Sequence, residues 1–134
     1  MSTSTDETRA VMSAYLQGHG ERTIAEDAVF TVMGTGEEAR GRTAIGQMLV
    51  DLYQTAFDAR AELRNLVVDG GSAIAEYRFV GTHIGEFMGV PATDVTVDHP
   101  FCVAYDVENG KIVAARVYFE IDALHRQLVA AQGK

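Results

Sequence analysis

The chain has 134 residues, of which 47% are hydrophobic, so it is the size of one domain and can bury a core. Its 11 Lys and Arg against 19 Asp and Glu give a formal charge of −8. Such a surface repels phosphate, which argues against nucleic-acid or membrane partners. The single cysteine, Cys102, excludes an intrachain disulfide, and no secretory signal or membrane-length apolar run is present. We therefore expect a cytoplasmic protein.

The first half of the chain predicts two helices with a strand between them. Ser4 and Glu7 have capping-box spacing, which predicts a helix over about 5–17. A helical turn then leads into a strand near 29–33, followed by a loop with room for a brief strand. A second helix, capped by Thr43, carries one apolar stripe that we expect to pack against a sheet. The stripe consists of Ile45, Met48, Leu49, Leu52, Tyr53, Ala56 and Phe57.

The second half of the chain predicts four consecutive strands and a final helix. The strands are expected over 60–68, 73–83, 95–107 and 111–120, and the helix over about 122–131. Helices that precede a run of strands joined by tight turns are typical of an α+β fold. We expect one domain, with helices on one face of a curved antiparallel sheet.

A hairpin closes this sheet. The sequence ENGK at 108–111 predicts a two-residue type I′ turn, because its central Asn and Gly tolerate positive φ. In that register His99 lies opposite Glu120. A bulge near Pro100, which has no N–H for the ladder, would instead place Asp98 opposite Glu120. Both pairings stay open at this stage.

The same register predicts two different faces on this hairpin. One face mixes aromatic and titratable groups, which suits a pocket under the helices. It comprises His99, Phe101, Val103, Arg116, Tyr118 and Glu120. The opposite face is small and apolar, which suits a subunit interface. It comprises Cys102, Ala104, Val113, Ala115, Val117 and Phe119.

Three stretches carry a family resemblance: GTHIGEFMGVPAT at 81–93, NGKIVAARVYFEIDALHRQL at 109–128 and GRTAIGQML at 41–49. They resemble SnoaL-like polyketide cyclases and ester cyclases of the nuclear transport factor two-like superfamily. The resemblance implies a cone-shaped α+β barrel with helices on the concave face of the sheet and an internal ligand pocket. It also implies a homodimer formed through the sheet.

The resemblance further implies roles for residues of the mixed face. In the cyclases an aspartate near the end of the last strand is the acid/base of an aldol closure, without metal or cofactor. Glu120 stands at that position, one methylene longer than the usual Asp. His99 would hold the carboxylate or shuttle its proton. Arg116 would bind an enolate or carboxylate, or pair with Glu120, and Tyr118 and Phe101 would be walls of the pocket.

Two further residues have alternative interpretations. Tyr15 lies on the apolar face of the first helix, where ketosteroid isomerase relatives place an oxyanion-stabilising tyrosine, or it is core. Those isomerases also need an acidic base after the first strand, and residues 31–34 of this chain, Thr-Val-Met-Gly, contain none. Limonene-epoxide hydrolase relatives use an Arg-x-Asp motif on a central strand, and this chain has Thr-Val-Asp at 96–98, so the arginine is missing. His83 either lines the pocket or holds the following loop. No cluster has metal-ligand spacing.

These observations lead to two functional hypotheses. The first is a cofactor-free lyase or isomerase that acts by acid–base catalysis on an apolar, carbonyl-bearing small molecule. The second is a non-catalytic, dimeric module that binds such a ligand. An enzyme should bury Glu120 beside an open cavity, whereas a binding module should leave it exposed or paired with Arg116.

Overall fold

The computed structural model describes residues 4–18 and 20–132. The elements follow in the order α1 (Thr5–Leu16), α2 (Gly20–Thr23), β1 (Ile24–Val32), β2 (Glu37–Arg40), α3 (Arg42–Val50), a π-helical extension of α3 (Asp51–Ala56), β3 (Phe57–Asp69), β4 (Ser72–His83), β5 (Thr96–Glu108), β6 (Lys111–Phe119) and α4 (Ile121–Gln132). The predicted α+β class and the predicted order of helices and strands along the chain are confirmed.

The six strands form one curved, unclosed sheet in the order β2-β1-β6-β5-β4-β3. The sheet is mixed, because β1 runs parallel to β6. The prediction of a purely antiparallel sheet is therefore wrong at this pairing. The reason is topological: α3 and four further strands separate β1 from β6, so their directions are not set by a hairpin.

The core lies between the sheet and the helices. Alternate residues of β4, from Ala73 to His83, are buried, as are those of β5 from Val97 to Val107 except the half-buried His99, and they define the inner face of the sheet. Met12 of α1 and Leu124 and Leu128 of α4 are at most 1% exposed. The helices therefore cover the inner face, as predicted.

The helix predicted from Thr43 begins and ends differently. Its N-cap is Gly41, at φ 90°, and no side chain caps it. Phe57, the last member of the predicted stripe, is the first residue of β3. The stripe itself packs in the core as expected, because Ile45, Ala56 and Phe57 are buried and the other members are partly buried against them.

The turn at the tip of the β5–β6 hairpin is confirmed, but the register beyond it is wrong. Asn109 and Gly110 both have positive φ, and Glu108 lies opposite Lys111. Val113 is an extra residue, because Val107 pairs with Ile112 while Asp106 pairs with Ala114. From this bulge onward every residue of β6 is displaced by one position.

Candidate functional site

The bulge at Val113 divides the predicted site between the two faces of the sheet. Phe101 pairs with Phe119 and Val103 with Val117, whereas Arg116 pairs with Ala104. A shift of one residue reverses the direction of every side chain. His99 and Phe101 consequently point inward, while Arg116, Tyr118 and Glu120 belong to the outer face.

His99 is a half-buried side chain of the inner face. Its Nε2 lies 2.6 Å from Oε1 of Gln127 on α4. Because an amide oxygen only accepts, Nε2 carries the proton, and Nδ1 is the basic nitrogen of the neutral ring. The imidazole also lies over Phe119, with ring centroids 6.4 Å apart, so a ring and a hydrogen bond fix its orientation.

Glu120 does not lie opposite His99, and the alternative pairing with Asp98 is not formed either. β6 ends at Phe119, and Glu120 follows it as the residue before α4. Its carbonyl oxygen accepts a hydrogen bond from Leu124 N at 3.2 Å, and its side chain is exposed. The position suits an acidic group at a helix N-terminus.

Arg116 pairs with a different carboxylate from the one predicted. Its Nη1 lies 2.7 Å from Oδ2 of Asp106 and its Nη2 3.2 Å from Oδ1. The side chains are 37% and 41% exposed, so this is a two-point ion pair on the outer face. Arg116 therefore does not bind Glu120, and the predicted placement of Tyr118 in an inner wall is also wrong, because Tyr118 is 49% exposed.

Glu120 instead borders a groove of about 780 Å³ on the outer face. Charged groups from several strands line it together with Tyr118 and Cys102. The charged lining residues are Arg64, Glu76, Arg78 and Glu120. Burial raises the pKa of the Cys102 thiol, and Glu76 nearby raises it further, so the thiol is kept in its protonated form.

Phe101 has the predicted position in an apolar wall. It is 9% exposed and stacks on Tyr77 and Phe119, with ring centroids 4.9 and 5.3 Å apart. Phe79 continues the wall, edge-on to Phe119 at 5.6 Å and tilted against Tyr53 at 5.2 Å. These rings pack on one another and form a continuous apolar wall on the inner face.

A tyrosine cluster lies beside this wall, and most of it was not predicted from the sequence. The hydroxyls of Tyr77 and Tyr105 are 2.8 Å apart, and the ring of Tyr15 meets that of Tyr105 edge-on at 5.6 Å. Desolvation raises the pKa of Tyr15, and a hydrogen bond from Tyr105 opposes that shift. Burial also raises the pKa of Tyr53, Tyr77 and Tyr105. The inward parity of Tyr77 and Tyr105 was visible in the sequence, but their meeting depends on strand pairing.

His83 makes the loop contact that the sequence suggested. Its Nδ1 lies 2.9 Å from the Thr93 hydroxyl and accepts a bond from Thr93 N at 3.2 Å. Since Nδ1 is an acceptor, Nε2 carries the proton, and this buried N–H has no hydrogen-bond partner among residues 4–18 and 20–132. The ring packs against Phe57 with centroids 5.1 Å apart.

Among residues 4–18 and 20–132, no group of three or more His, Cys, Asp or Glu could hold a metal ion. None of the helices described there is long and apolar enough to cross a membrane.

The fold and the inner site define a class of small α+β proteins whose helices cover one face of a curved sheet. The sequence profile of the SnoaL-like polyketide cyclases matches residues 10–128. The chain belongs to this family, and the resemblance seen in its motifs is confirmed. No curated protein matches the sequence significantly.

Solved structures share the fold at low sequence identity. A protein from Jannaschia sp. CCS1, described as a SnoaL-like polyketide cyclase, superposes with a TM-score of 0.83 at 16% identity, covering 96% of this chain and 95% of that one. A polyketide cyclase structure from Xanthomonas campestris pv. campestris gives 0.74 at 22%, covering 92% and 98%. An M. tuberculosis structure described as an LEH-like epoxide hydrolase gives 0.71 at 17%, covering 95% and 92%. These likenesses show that the chain shares the fold of these structures.

Proposed function

We propose that this protein is a cofactor-free lyase or isomerase that moves a proton on an apolar, carbonyl-bearing small molecule held against the inner face of the sheet. The observation that carries the proposal is His99, an inward, half-buried imidazole whose Nε2 is held by Gln127 at 2.6 Å. Its Nδ1 is the basic nitrogen, and the family to which the chain belongs is one of polyketide cyclases.

His99 would remove an acidic C–H proton next to the carbonyl group of the ligand. The imidazolium would then return a proton, either to the same ligand or to its new alkoxide, so that the enzyme ends unchanged. The hydrogen bond to Gln127 keeps the Nε2 proton in place, so the neutral ring is the same tautomer before and after the cycle. The surrounding phenyl rings of Phe119 and Phe79 would exclude water from the reacting atoms.

This proposal transfers the acid/base role from Glu120 to His99. The assignment of Glu120 by family position stays a prediction, in which the outer groove would be the reaction site. The two assignments differ in a simple way, because the inner face presents an imidazole and the outer groove presents a carboxylate. Substitution of each residue therefore tests one face at a time.

A suitable probe is 2-tetralone, an apolar ketone whose α protons exchange with D₂O at a rate measured by proton NMR. We expect the wild-type protein to accelerate this exchange and His99→Asn to lower the acceleration about 10²–10⁴-fold. Glu120→Gln is the matched control and should change the rate by less than about twofold. If Glu120→Gln abolishes exchange and His99→Asn does not, the outer groove is the site and the proposal fails.

The second candidate function is a non-catalytic module that binds the same class of ligand. It is favoured by the exposure of Glu120, which is the outcome expected for a binding protein. A wild-type protein that binds 2-tetralone in a calorimeter without accelerating exchange would support this candidate against the first.

Either function is compatible with a homodimer formed through the outer face of the sheet, which we include in the proposal. Apolar side chains on this face are strongly exposed, among them Val67 at 56%, Ile74 at 48% and Tyr118 at 49%. Ile74→Asp should then convert a dimer to a monomer in size-exclusion chromatography with light scattering. A wild-type monomer at micromolar concentration would reject the dimer.

A further inference from the structure

The outer groove, defined as the space of about 780 Å³ that Glu120 borders, takes no part in the reaction proposed for the inner face. Its volume is within the range of about 300–1,000 Å³ that is usual for small-molecule sites. Four neighbouring strands of the sheet and the turn after β1 contribute to its lining. The lining residues include Met33, Gly34, Arg64, Glu76, Arg78, Pro100, Cys102, Tyr118 and Glu120.

The positive charges of the outer groove are already paired within the protein. Arg64 Nη2 lies 3.1 Å from Oε1 of Glu62, which also binds Arg60. Arg78 Nε lies 2.7 Å from Oδ1 of Asp98, and its Nη2 donates a hydrogen bond to the Asp98 carbonyl oxygen at 3.2 Å. Each guanidinium group that lines the groove therefore has a carboxylate partner.

The negative charges of the outer groove have no cationic partner of this kind. Glu76 accepts a hydrogen bond from Nδ2 of Asn65 at 3.0 Å, and this donor is neutral. Within residues 4–18 and 20–132, the Glu120 carboxylate has neither a hydrogen bond nor an ion pair. When the ion-pair partners of the lining residues are included, four carboxylates stand against three guanidinium groups. The groove therefore offers negative charge to a ligand.

Tyr118 connects the positions of the two carboxylates on the sheet. It pairs with Cys102, which pairs with Glu76 on the next strand. Glu76 is therefore two strands from Tyr118, about 10 Å at about 4.8 Å per strand, and Glu120 follows Tyr118 by two residues. The Tyr118 side chain is 49% exposed. A cation within about 6 Å of the centre of such a ring is attracted to its face.

Apolar groups extend the site beside Tyr118. Met33 N donates a hydrogen bond to Val117 O at 2.9 Å, which places Met33 next to Tyr118, and its side chain is 44% exposed. A thioether packs well against alkyl groups. The carboxylates stand on the order of 10 Å apart at the backbone, whereas the oxygen ligands of a metal ion lie within about 2.6 Å of it. The arrangement therefore suits a bulky organic cation.

We propose that the outer groove binds a small organic ammonium ion, with its charged head on the Tyr118 ring between Glu76 and Glu120 and its alkyl groups against Met33. The ring supplies a cation–π contact, and the two carboxylates supply the charge that balances the ligand. This inference is independent of the proposed reaction, because Glu76, Tyr118 and Glu120 belong to the outer face.

The test compares three soluble probes with the same bulky head: choline, its neutral isostere 3,3-dimethylbutan-1-ol, and the anion 3,3-dimethylbutanoate. Binding is measured from the backbone amide shifts of ¹⁵N-labelled protein in an NMR titration. We expect choline to bind about tenfold more tightly than the alcohol, and the anion to bind most weakly. The shifts should centre on Cys102 and Tyr118.

Single substitutions test the location of this site. Tyr118→Leu should remove most of the preference for choline over the alcohol, and Glu76→Gln and Glu120→Gln should each lower it about threefold. Glu108→Gln is the matched control, because it removes the same charge at the tip of the β5–β6 hairpin, and it should change the preference by less than about twofold. All four side chains are exposed, so these variants are expected to fold.

A second copy of the chain is a competitor for this groove, because Tyr118 also belongs to the face of the proposed homodimer. The choline titration is therefore repeated at two protein concentrations an order of magnitude apart, and we expect the same affinity at both. An affinity that falls as the protein concentration rises would show that the second copy occupies the groove, and the inference would fail.

Three further results would overturn the inference. The first is equal binding of choline and the alcohol, or of neither. The second is tighter binding of 3,3-dimethylbutanoate, which would mean that Arg64 and Arg78 direct recognition. The third is a preference for choline that survives the substitutions of Glu76, Tyr118 and Glu120. His99→Asn should leave choline binding unchanged while proton exchange is lost, so the two proposals fail separately.

Discussion

The two faces of the β5–β6 hairpin are built from the same two strands but differ in chemistry. The inner face carries His99 and an array of stacked rings, with one hydrogen bond from the imidazole to α4. The outer face carries ion pairs such as Arg116–Asp106 and a groove bordered by Glu120. Residues that are neighbours in the sequence of a strand therefore lie in different environments, since adjacent strand residues point in opposite directions.

The difference has a physical consequence for acid–base chemistry. An imidazole on the inner face is desolvated in part and held in one tautomer, which suits a group that must exchange a proton with an apolar ligand. The Glu120 carboxylate on the outer face is exposed to solvent and borders a groove that Arg64 and Arg78 also line. The same hairpin therefore separates a candidate reaction site from a surface suited to ionic contacts.

The largest expected contrast between the faces is in packing. Phe79 is fully buried and contacts Tyr53, Phe57 and Phe119, so Phe79→Ala should lower the free energy of unfolding by about 3–5 kcal/mol. Ile74→Ala is the matched change on the same strand but the outer face, where the side chain is 48% exposed, and should cost less than about 1 kcal/mol. Urea unfolding followed by circular dichroism measures both. Equal losses would contradict the assignment of the faces.

A second contrast concerns the tyrosines. Burial raises the pKa of Tyr15, Tyr53, Tyr77 and Tyr105 above the usual value of about 10. The unfolded chain ionises first, so the stability supplied by neutral phenols is complete below about pH 10 and is lost as the pH rises above it.

We expect four of the five tyrosines to ionise late in an ultraviolet titration of tyrosinate, with alkaline unfolding as the protein loses this stabilisation. If Tyr15, Tyr53, Tyr77 and Tyr105 titrated near pH 10 in the folded protein, the buried cluster would not exist in solution.

The smallest effect is expected on the outer face. Because both partners of the Arg116–Asp106 pair are more than a third exposed, their coupling should be at most about 1 kcal/mol and should weaken in high salt. A double-mutant cycle with Arg116→Met and Asp106→Asn measures it by chemical unfolding. The cycle is made in the Ile74→Asp background, because the proposed homodimer would cover this face. A coupling of several kcal/mol in that background would contradict the exposed geometry of the pair.

Much of the fold could be predicted from the sequence because its determinants are local. The Ser4 cap accepts a bond from Glu7 N at 3.1 Å, as the capping-box spacing predicted. The stripe from Ile45 to Phe57 packs in the core, and the positive φ angles of Asn109 and Gly110 form the predicted turn. Each of these features depends on a few consecutive residues, and their combination led to the correct family.

The candidate site could be predicted only in part, because it depends on strand register. The inward position of Phe101 and the loop contact of His83 agree with the sequence, whereas the pairing of His99 with Glu120 does not. Turn geometry specifies the register at the tip of the hairpin, and one inserted residue is sufficient to reverse the faces beyond it.

By itself, the sequence determined the α+β class, the helix stripe, the hairpin turn and the family. Tertiary structure alone decided which face each residue of β6 occupies. This strand lies between β5 and β1, and the pairing on both sides is irregular around Val113, between Asp106 and Val107 on one side and between Ile24 and Val29 on the other. β6 must form hydrogen bonds with both of its neighbouring strands while the helices pack on the inner face. The bulge is therefore a property of the assembled sheet, and it places His99 and Glu120 in different environments.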